Sequence, residues 1–195
     1  MTKTTEPIKN REDVERLKDF YRVVEPNPRN YALIVVGVNS ALRVSDLLAL
    51  RWKHVYDFEN GAIREHVEVK ERKTGKQKML ALNENARDAL AMLYRKSNRP
   101  GKNSWVFRGD DRWGNRPLSR SQAFRIVTYA AGRLSLGEHI SCHSLRKTFG
   151  YHAWKMGVSP ILLMAIYNHS SYEVTKRYLG IGQDEKDEVY RTINL

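Results

Sequence analysis

The segment YALIVVGVNSAL, residues 31–42, is apolar on almost every side. A helix of that kind has to be covered all round by other elements, because no face of it suits water. We therefore predict a central helix here, with the rest of the chain packed around it. The chain has 195 residues, of which 41% are hydrophobic, enough for the core of one domain of ordinary size or of two very small ones.

Most of the other segments carry helix start signals, in which a Ser, Asn or Asp side chain precedes an apolar repeat. Asn10 opens a predicted helix that runs to about Val23. From Ser141 onward the chain is predicted to be wholly helical, with Pro160 in the first turn of one of these helices. Further helices are predicted over 44–52, 83–97 and 118–135.

Two short β-prone runs, HVEV at 66–69 and KMLAL at 78–82, flank the sequence KTGK. The glycine suits a tight turn, so we predict a β-hairpin with Lys73 and Lys76 at its tip. SWVF, residues 104–107, is predicted to be a third short strand. The simplest fold class is α+β, mainly α, in a single domain over residues 1–195 with a small antiparallel sheet and with residues 1–9 disordered.

The chain is strongly basic, with 34 Lys and Arg against 22 Asp and Glu, a net charge of +12 and a pI of about 9.9. Such a balance favours a polyanionic partner, most commonly nucleic acid. A membrane surface, another acidic partner and simple solubility are the alternatives.

The single cysteine, Cys142, excludes an intramolecular disulfide and fits a reducing compartment. No run approaches the roughly 20 apolar residues that span a bilayer, and the N-terminus lacks the apolar centre of a signal peptide. We therefore expect a cytoplasmic protein. Neither a P-loop nor a G-x-G-x-x-G fingerprint is present, and no cofactor or metal is expected.

A set of cations, histidines and one tyrosine stands out when it is taken in chain order. Each member alone has an ordinary structural explanation, such as a capping arginine, a solvated lysine at a turn or a chance H-x-x-R pair. His143 and Arg146 lie three residues apart and so share one face of a helix. The candidates are Arg43, Lys73, His143, Arg146, His169 and Tyr178.

Together these residues resemble the catalytic domain of the tyrosine recombinase (phage integrase) family. ALRVSDLLALRW is similar to the family's G-L-R-x-S-E-L segment, and RKTGK to its hairpin lysine. HSLRKTFGYHAWKMG is similar to its H-x-x-R helix, and NHSSYEVTKRY to L-G-H followed nine residues later by tyrosine. Order, spacing and element type all agree from about residue 10 to residue 180.

The resemblance implies a role for each of these residues. Arg43 and Arg146 would bind the scissile phosphate, for which a forked and permanently charged guanidinium is well suited. Tyr178 would be the nucleophile and His143 its general base, while His169 would hydrogen-bond the phosphate. Lys73 would protonate the departing 5′ oxygen, and Asp46 would support the site by pairing with a nearby cation.

The implied activity is site-specific recombination of double-stranded DNA through a 3′-phosphotyrosine, without metal or ATP, in integration, excision, inversion or resolution. The implied source is a bacterium, phage or other mobile element. Self-association on DNA, from dimer to tetramer, and accessory DNA-binding proteins are also implied. Two alternatives are a type IB topoisomerase-like nicking and closing enzyme and a non-catalytic DNA-binding regulator.

Some features depart from the family pattern or extend it. Asn168 replaces the usual glycine and is expected to tolerate a left-handed turn, and Ala41 replaces another glycine. Only 42 residues precede Arg43, so we expect a catalytic domain without the family's N-terminal domain. The final segment carries the apolar residues Val189, Ile193 and Leu195, which would dock on a neighbouring protomer or on their own domain.

Outside the catalytic set, several cations are candidates for contacts with DNA phosphates. They are Lys70, Arg72, Lys76, Arg120, Arg125 and Lys147. Spacing also separates the two tyrosines of NHSSYEVTKRY, because Tyr172 lies six residues before Tyr178 and points away from it on a helix. Tyr172 is therefore the expected bystander.

Overall fold

The computed structural model describes residues 5–109, 115–137 and 139–193. A five-residue π-helix, Phe20–Val24, continues the first α-helix. The α-helices are α1 (Arg11–Asp19), α2 (Pro28–Ser40), α3 (Val44–Leu47), α4 (Trp52–Val55), α5 (Glu84–Lys96), α6 (Arg120–Arg133), α7 (Cys142–Lys155), α8 (Pro160–Tyr167), α9 (Tyr172–Leu179) and α10 (Gln183–Thr192). The strands are β1 (Tyr56–Asp57), β2 (Ala62–Ile63), β3 (His66–Lys70) and β4 (Gln77–Ala81).

The predicted central helix is confirmed as α2, which packs against α1, α5 and α7. Its start is set by Asn27, whose side chain accepts a hydrogen bond from the Asn30 backbone, and by Pro28 in the first turn. Residues 32–36 are almost completely buried. The helix ends one residue before Ala41, which adopts a left-handed conformation with φ of 52°.

The predicted β-hairpin is also confirmed, with β3 and β4 antiparallel and His66 opposite Ala81. The inward positions alternate as a half-buried strand requires, so Val67 and Val69 are buried while their neighbours are exposed. Gly75, with φ of 70°, closes the turn at the tip. A second small hairpin, β1 with β2, was not predicted.

Two predicted elements were wrong. Residues 44–52 do not form one helix, because the chain turns between α3 and α4 and Leu50 accepts a backbone hydrogen bond from Val106. Residues 104–107, predicted as a strand, pack against this region instead. Only Trp105 among them pairs as in a sheet, through an isolated β-bridge to Arg51. Both segments are apolar because they are buried, not because they extend a regular helix or sheet.

Residues 5–9 also differ from the prediction of disorder, because they lie against α7. The Ile8 backbone N–H donates to the Thr148 hydroxyl at 2.9 Å, and the Ile8 carbonyl lies 3.0 Å from His152 Nε2. Lys147 Nζ donates to the Thr5 carbonyl at 2.6 Å. Pro7 and Ile8 are buried, and these two apolar residues anchor a stretch whose composition is otherwise polar. Residues 1–4 are outside the described part of the chain.

The C-terminal helix α10 has an ion pair to α7, in which Lys155 Nζ lies 2.8 Å from the Glu188 carboxylate. Val189 and Ile193 are more than half exposed, and Leu195 lies outside the described residues. Across residues 5–109, 115–137 and 139–193, no helix has both the length and the apolar character that a membrane span requires.

A close approach of α7 and α8 gives the first prediction. The Tyr167 hydroxyl donates to the Arg146 carbonyl at 2.8 Å, and a Cβ at Gly150 would lie 2.1 Å from that hydroxyl oxygen. Gly150→Ala should therefore lower the free energy of unfolding by about 1–3 kcal/mol, as overpacked cores do. Urea denaturation measures this change.

The matched control is Gly132→Ala in α6, where an added Cβ would meet no described atom within 4 Å apart from the backbone of its own helix. That substitution should leave stability unchanged or raise it by up to about 1 kcal/mol, since alanine is the better helix former. Equal free energies of unfolding for the two variants would contradict the close contact at Gly150.

Candidate active site

Helix α7 supplies the buried centre of the candidate site, the guanidinium of Arg146, which is 1% exposed. Arg146 Nη1 donates to the Ala41 carbonyl, and Nη2 donates to the Tyr167 carbonyl at 2.9 Å. Arg146 Nε is buried and has no hydrogen-bond partner among the residues that the structure describes. Arg146 therefore joins the ends of α2 and α8 and still has donor capacity for an anion.

Arg43 lies immediately before α3, two residues after the left-handed Ala41. Its Nη1 is 2.8 Å from the Glu71 carboxylate and 4.0 Å from the Asp46 carboxylate. Asp46 Oδ1 instead accepts a hydrogen bond from the Arg72 backbone at 2.9 Å. The close carboxylate partner of Arg43 is thus Glu71, which sequence reasoning missed.

A signal for Glu71 exists in the strand pattern. Val67, Val69 and Glu71 occupy alternate positions, so the inward phase of β3 continues into the turn and buries the carboxylate to 1% exposure. Burial acts to raise the pKa of Glu71, but hydrogen bonds from Thr74 and Arg43 outweigh it and hold the pKa below its usual value.

Tyr178 lies beside the other candidates within its own chain. Its ring centroid is 4.8 Å from that of His143, 4.5 Å from that of His169 and 5.7 Å from the guanidinium carbon of Arg146. Tyr172 at the start of the same helix is 46% exposed. The structure therefore separates the two tyrosines in the way that their spacing predicts.

His169 is positioned by the turn between α8 and α9. Asn168 ends α8 with φ of 54°, the left-handed conformation expected for it. The imidazole stacks on Tyr167 at 4.9 Å, and its Nδ1 lies 3.1 Å from the Thr175 hydroxyl. Because Thr175 is buried, it fixes the orientation of the ring.

Both histidines have a lowered pKa. Loss of hydration, followed by the charges of Lys147 and Arg146, lowers the pKa of His143 to about 4. Loss of hydration and the charges of Arg146 and Arg43 lower the pKa of His169 to about 4 as well. Both imidazoles are therefore neutral at pH 7, and a neutral imidazole can accept a proton.

Two lysines of the hairpin differ in their surroundings. Lys73 is exposed in the turn between β3 and β4. Lys78, opposite Val69, faces inward and donates from Nζ to the Ile166 carbonyl at 2.7 Å. Burial and the charge of Arg146 lower the pKa of Lys78 to about 8. Sequence reasoning missed Lys78, although it shares the inward phase of Leu80.

The predicted phosphate contacts fall into three groups. Arg120 and Arg125 are exposed on α6 and line a cavity of about 460 Å³ together with His143. Lys147 differs from expectation, because it is 4% exposed and its ammonium is bonded to the Thr5 carbonyl. The remaining members of the set are exposed on the hairpin: Lys70, Arg72 and Lys76.

The helical fold is that of tyrosine recombinase catalytic domains, and it brings together Arg43, His143, Arg146, His169 and Tyr178. The chain matches the model of the phage integrase family over residues 10–184, and it belongs to that family. It is 34% identical to the probable integrase/recombinase YoeC of Bacillus subtilis (strain 168), over 95% of both chains.

More distant similarities agree with this assignment. The chain is 28% identical to tyrosine recombinase XerC of Pseudomonas putida (strain F1) over 83% of its length, and covers 51% of XerC. The crystal structure of XerA recombinase matches with a TM-score of 0.75 at 19% identity, over 98% of this chain and 65% of XerA. The crystal structure of XerH bound to difH matches with a TM-score of 0.75 at 20% identity, over 97% of this chain and 53% of XerH. The chain thus spans about half the length of XerC and XerH.

The lowered histidine pKa values predict how stability depends on pH. Histidines in the unfolded chain have a pKa of about 6.5, whereas those of His143 and His169 in the folded chain are about 4. Between these values the unfolded state binds more protons, so the free energy of unfolding should fall as the pH is lowered from about 6.5 towards 4. Urea denaturation at several pH values measures the fall.

A variant with both His143→Gln and His169→Gln should show a smaller fall over the same range. His66→Gln, a change on an exposed position of β3, is the matched control and should keep the fall of the parent. A double variant whose pH dependence equals that of the control would show that the site histidines are not held neutral.

Proposed function

We propose that this chain is a site-specific DNA recombinase that cleaves and rejoins strands through a phosphotyrosine at Tyr178. The observation that carries the proposal is the position of the Tyr178 ring, within 5 Å of both histidine rings and beside the buried guanidinium of Arg146. A polyanionic substrate also fits the net charge of +12. The similarity to integrases and Xer recombinases supports the same reaction.

The scissile phosphate binds between Arg43 and Arg146. Arg146 offers its unpartnered Nε, and Arg43 lies at the rim with a 19% exposed side chain. Charge on the non-bridging phosphate oxygens grows in the transition state, and guanidinium groups already fixed there stabilise it. His169 donates a further hydrogen bond to one of these oxygens.

The attack by Tyr178 requires removal of its phenolic proton. His143 is neutral and adjacent, so it accepts that proton as the tyrosine oxygen forms a bond to phosphorus. The negative phosphate favours the imidazolium that results, which offsets the cations that lower the pKa of His143 in the free protein. The product is a 3′-phosphotyrosine.

The bond from phosphorus to the 5′ oxygen breaks in the same step, and that oxygen needs a proton. Lys73 supplies it from the hairpin turn, where its side chain is exposed and able to reach a bound strand. Attack by a 5′ hydroxyl of another strand then reverses the chemistry and rejoins the DNA. The phosphotyrosine is itself a phosphodiester and conserves the free energy of the broken bond, so the rejoining needs no nucleotide.

The surface around the site fits a DNA duplex and a second copy of the chain. Arg120 and Arg125 extend the cationic surface from His143 along α6. The exposed apolar residues Val189 and Ile193 of α10 provide a surface for self-association on DNA. Residues 1–195 act as one catalytic domain in this proposal.

A covalent-trapping experiment tests the nucleophile. Nicked suicide duplexes tiled across the DNA that flanks the gene are incubated with protein, and adducts are resolved on denaturing gels. The parent should trap a 3′ adduct, and Tyr178→Phe should trap none because it has no phenolic oxygen. Tyr172→Phe is the matched control and should trap as much as the parent.

Adduct formation by Tyr178→Phe would exclude Tyr178 as the nucleophile. Parent protein that binds these duplexes but forms no adduct on any of them would instead support the non-catalytic regulator. Relaxation of supercoiled plasmids without site preference would support the topoisomerase-like activity.

A substrate with sulfur in place of the bridging 5′ oxygen tests the general acid. Lys73→Ala should slow cleavage of the normal strand by about 10²–10⁴-fold, the usual contribution of a positioned acid. The sulfur substrate should restore most of that rate, because a thiolate leaves without prior protonation. Single-turnover rates on both substrates measure the rescue.

Lys78→Ala is the control, because Lys78 is bonded to the Ile166 carbonyl. Its rate should not be rescued by the sulfur substrate. The opposite pattern, with rescue of Lys78→Ala alone, would transfer the acid role to Lys78.

A further inference from the structure

Glu71 is a buried carboxylate to which the proposed reaction gives no role. It is 1% exposed, at the junction between β3 and the hairpin turn. An ionised group of this kind is costly to bury unless several donors surround it. The donors that surround Glu71 therefore indicate what the carboxylate does.

Three donors from separate elements converge on the carboxylate. Arg43 Nη1 lies 2.8 Å from Oε2, and the Thr74 hydroxyl donates to the same oxygen at 2.8 Å. The side chain of Asn168 lies near enough to the carboxylate to help to lower the pKa of Glu71. These donors belong to the start of α3, the hairpin turn and the turn after α8.

Each of these elements carries a group of the proposed catalytic set. Arg43 is itself a phosphate ligand, Thr74 directly follows Lys73, and Asn168 directly precedes His169. A shift of the carboxylate would therefore move the general acid, one phosphate ligand and a second phosphate donor relative to one another.

We propose that Glu71 is a positioning residue for strand cleavage, which holds Arg43 and ties the turn of Lys73 to the turn of His169. This inference rests on the proposed function. Glu71 acts through these neighbours, and its carboxylate accepts hydrogen bonds without touching the reacting atoms.

The role requires a carboxylate of this length. A glutamine of the same size can keep an oxygen at the position that faces Arg43 and Thr74, but it removes the negative charge that pairs with the Arg43 guanidinium. An aspartate keeps the charge and both acceptors but is one methylene shorter. Glu71→Gln should therefore weaken the hold on Arg43 and on the two turns, and Glu71→Asp should weaken it less.

Charge makes the effect on cleavage separable from the effect on DNA binding. Glu71 is a negative group beside Arg43, so the change to glutamine raises the net charge of the phosphate-binding site by one. Glu71→Gln should bind DNA at least as tightly as the parent while it cleaves more slowly. General loss of folding would instead weaken binding and cleavage together.

The experiment compares Glu71→Gln and Glu71→Asp with Glu68→Gln, an exposed position on the same strand with the same change of charge. The dissociation constant for a duplex and the single-turnover rate of adduct formation are measured for each. We expect Glu71→Gln to cleave at least about tenfold more slowly with an unchanged or lower dissociation constant. Glu71→Asp should fall between it and the parent, and Glu68→Gln should cleave like the parent.

Hydrogen exchange in the free protein provides a second measurement that does not depend on cleavage. Glu71→Gln should speed exchange both at 72–76 and at 168–170, whereas Glu68→Gln should leave both turns unchanged. Exchange and cleavage equal to those of Glu68→Gln would overturn the proposal. Faster exchange in both turns, with no adduct from the parent protein, would keep the structural tie but overturn its catalytic role together with the proposed function.

Discussion

The buried guanidinium of Arg146 is the interaction on which the rest of the site depends. It donates to the Ala41 carbonyl just past α2 and to the Tyr167 carbonyl at the end of α8. Both carbonyls lie at helix C-termini, where unsatisfied oxygens carry partial negative charge. These two ends stabilise a charge that would otherwise be expensive to bury, and the charge in turn fixes the distance between the elements that carry Arg43 and His169.

The site holds more positive than negative charge until an anion enters it. Arg43, Arg146 and Lys78 outnumber the carboxylates Glu71 and Asp46. His143 and His169 are kept neutral by loss of hydration and by the neighbouring cations. Arg146 retains an unpartnered Nε. A phosphate would complete this arrangement, because it supplies the missing negative charge and the missing acceptors.

Local signals in the sequence predicted most of the regular elements. The central helix, the β3–β4 hairpin and the left-handed Asn168 are each determined by a few adjacent residues, through apolar pattern, turn chemistry and tolerance of positive φ. The predictions failed where long-range contacts decide the conformation. Residues 44–52 and 104–107 are shaped by packing on each other, and residues 5–9 by hydrogen bonds to α7.

The sequence by itself determined which chemical groups are present, their order and the helix faces on which His143, Arg146 and Tyr178 lie. Only the tertiary structure decided that Tyr178 reaches these groups within its own chain, that Glu71 is the close partner of Arg43, and that Lys147 is buried. The physical reason is separation along the chain. Lys147 bonds a carbonyl 142 residues away, and no local pattern of residues encodes a contact of that range.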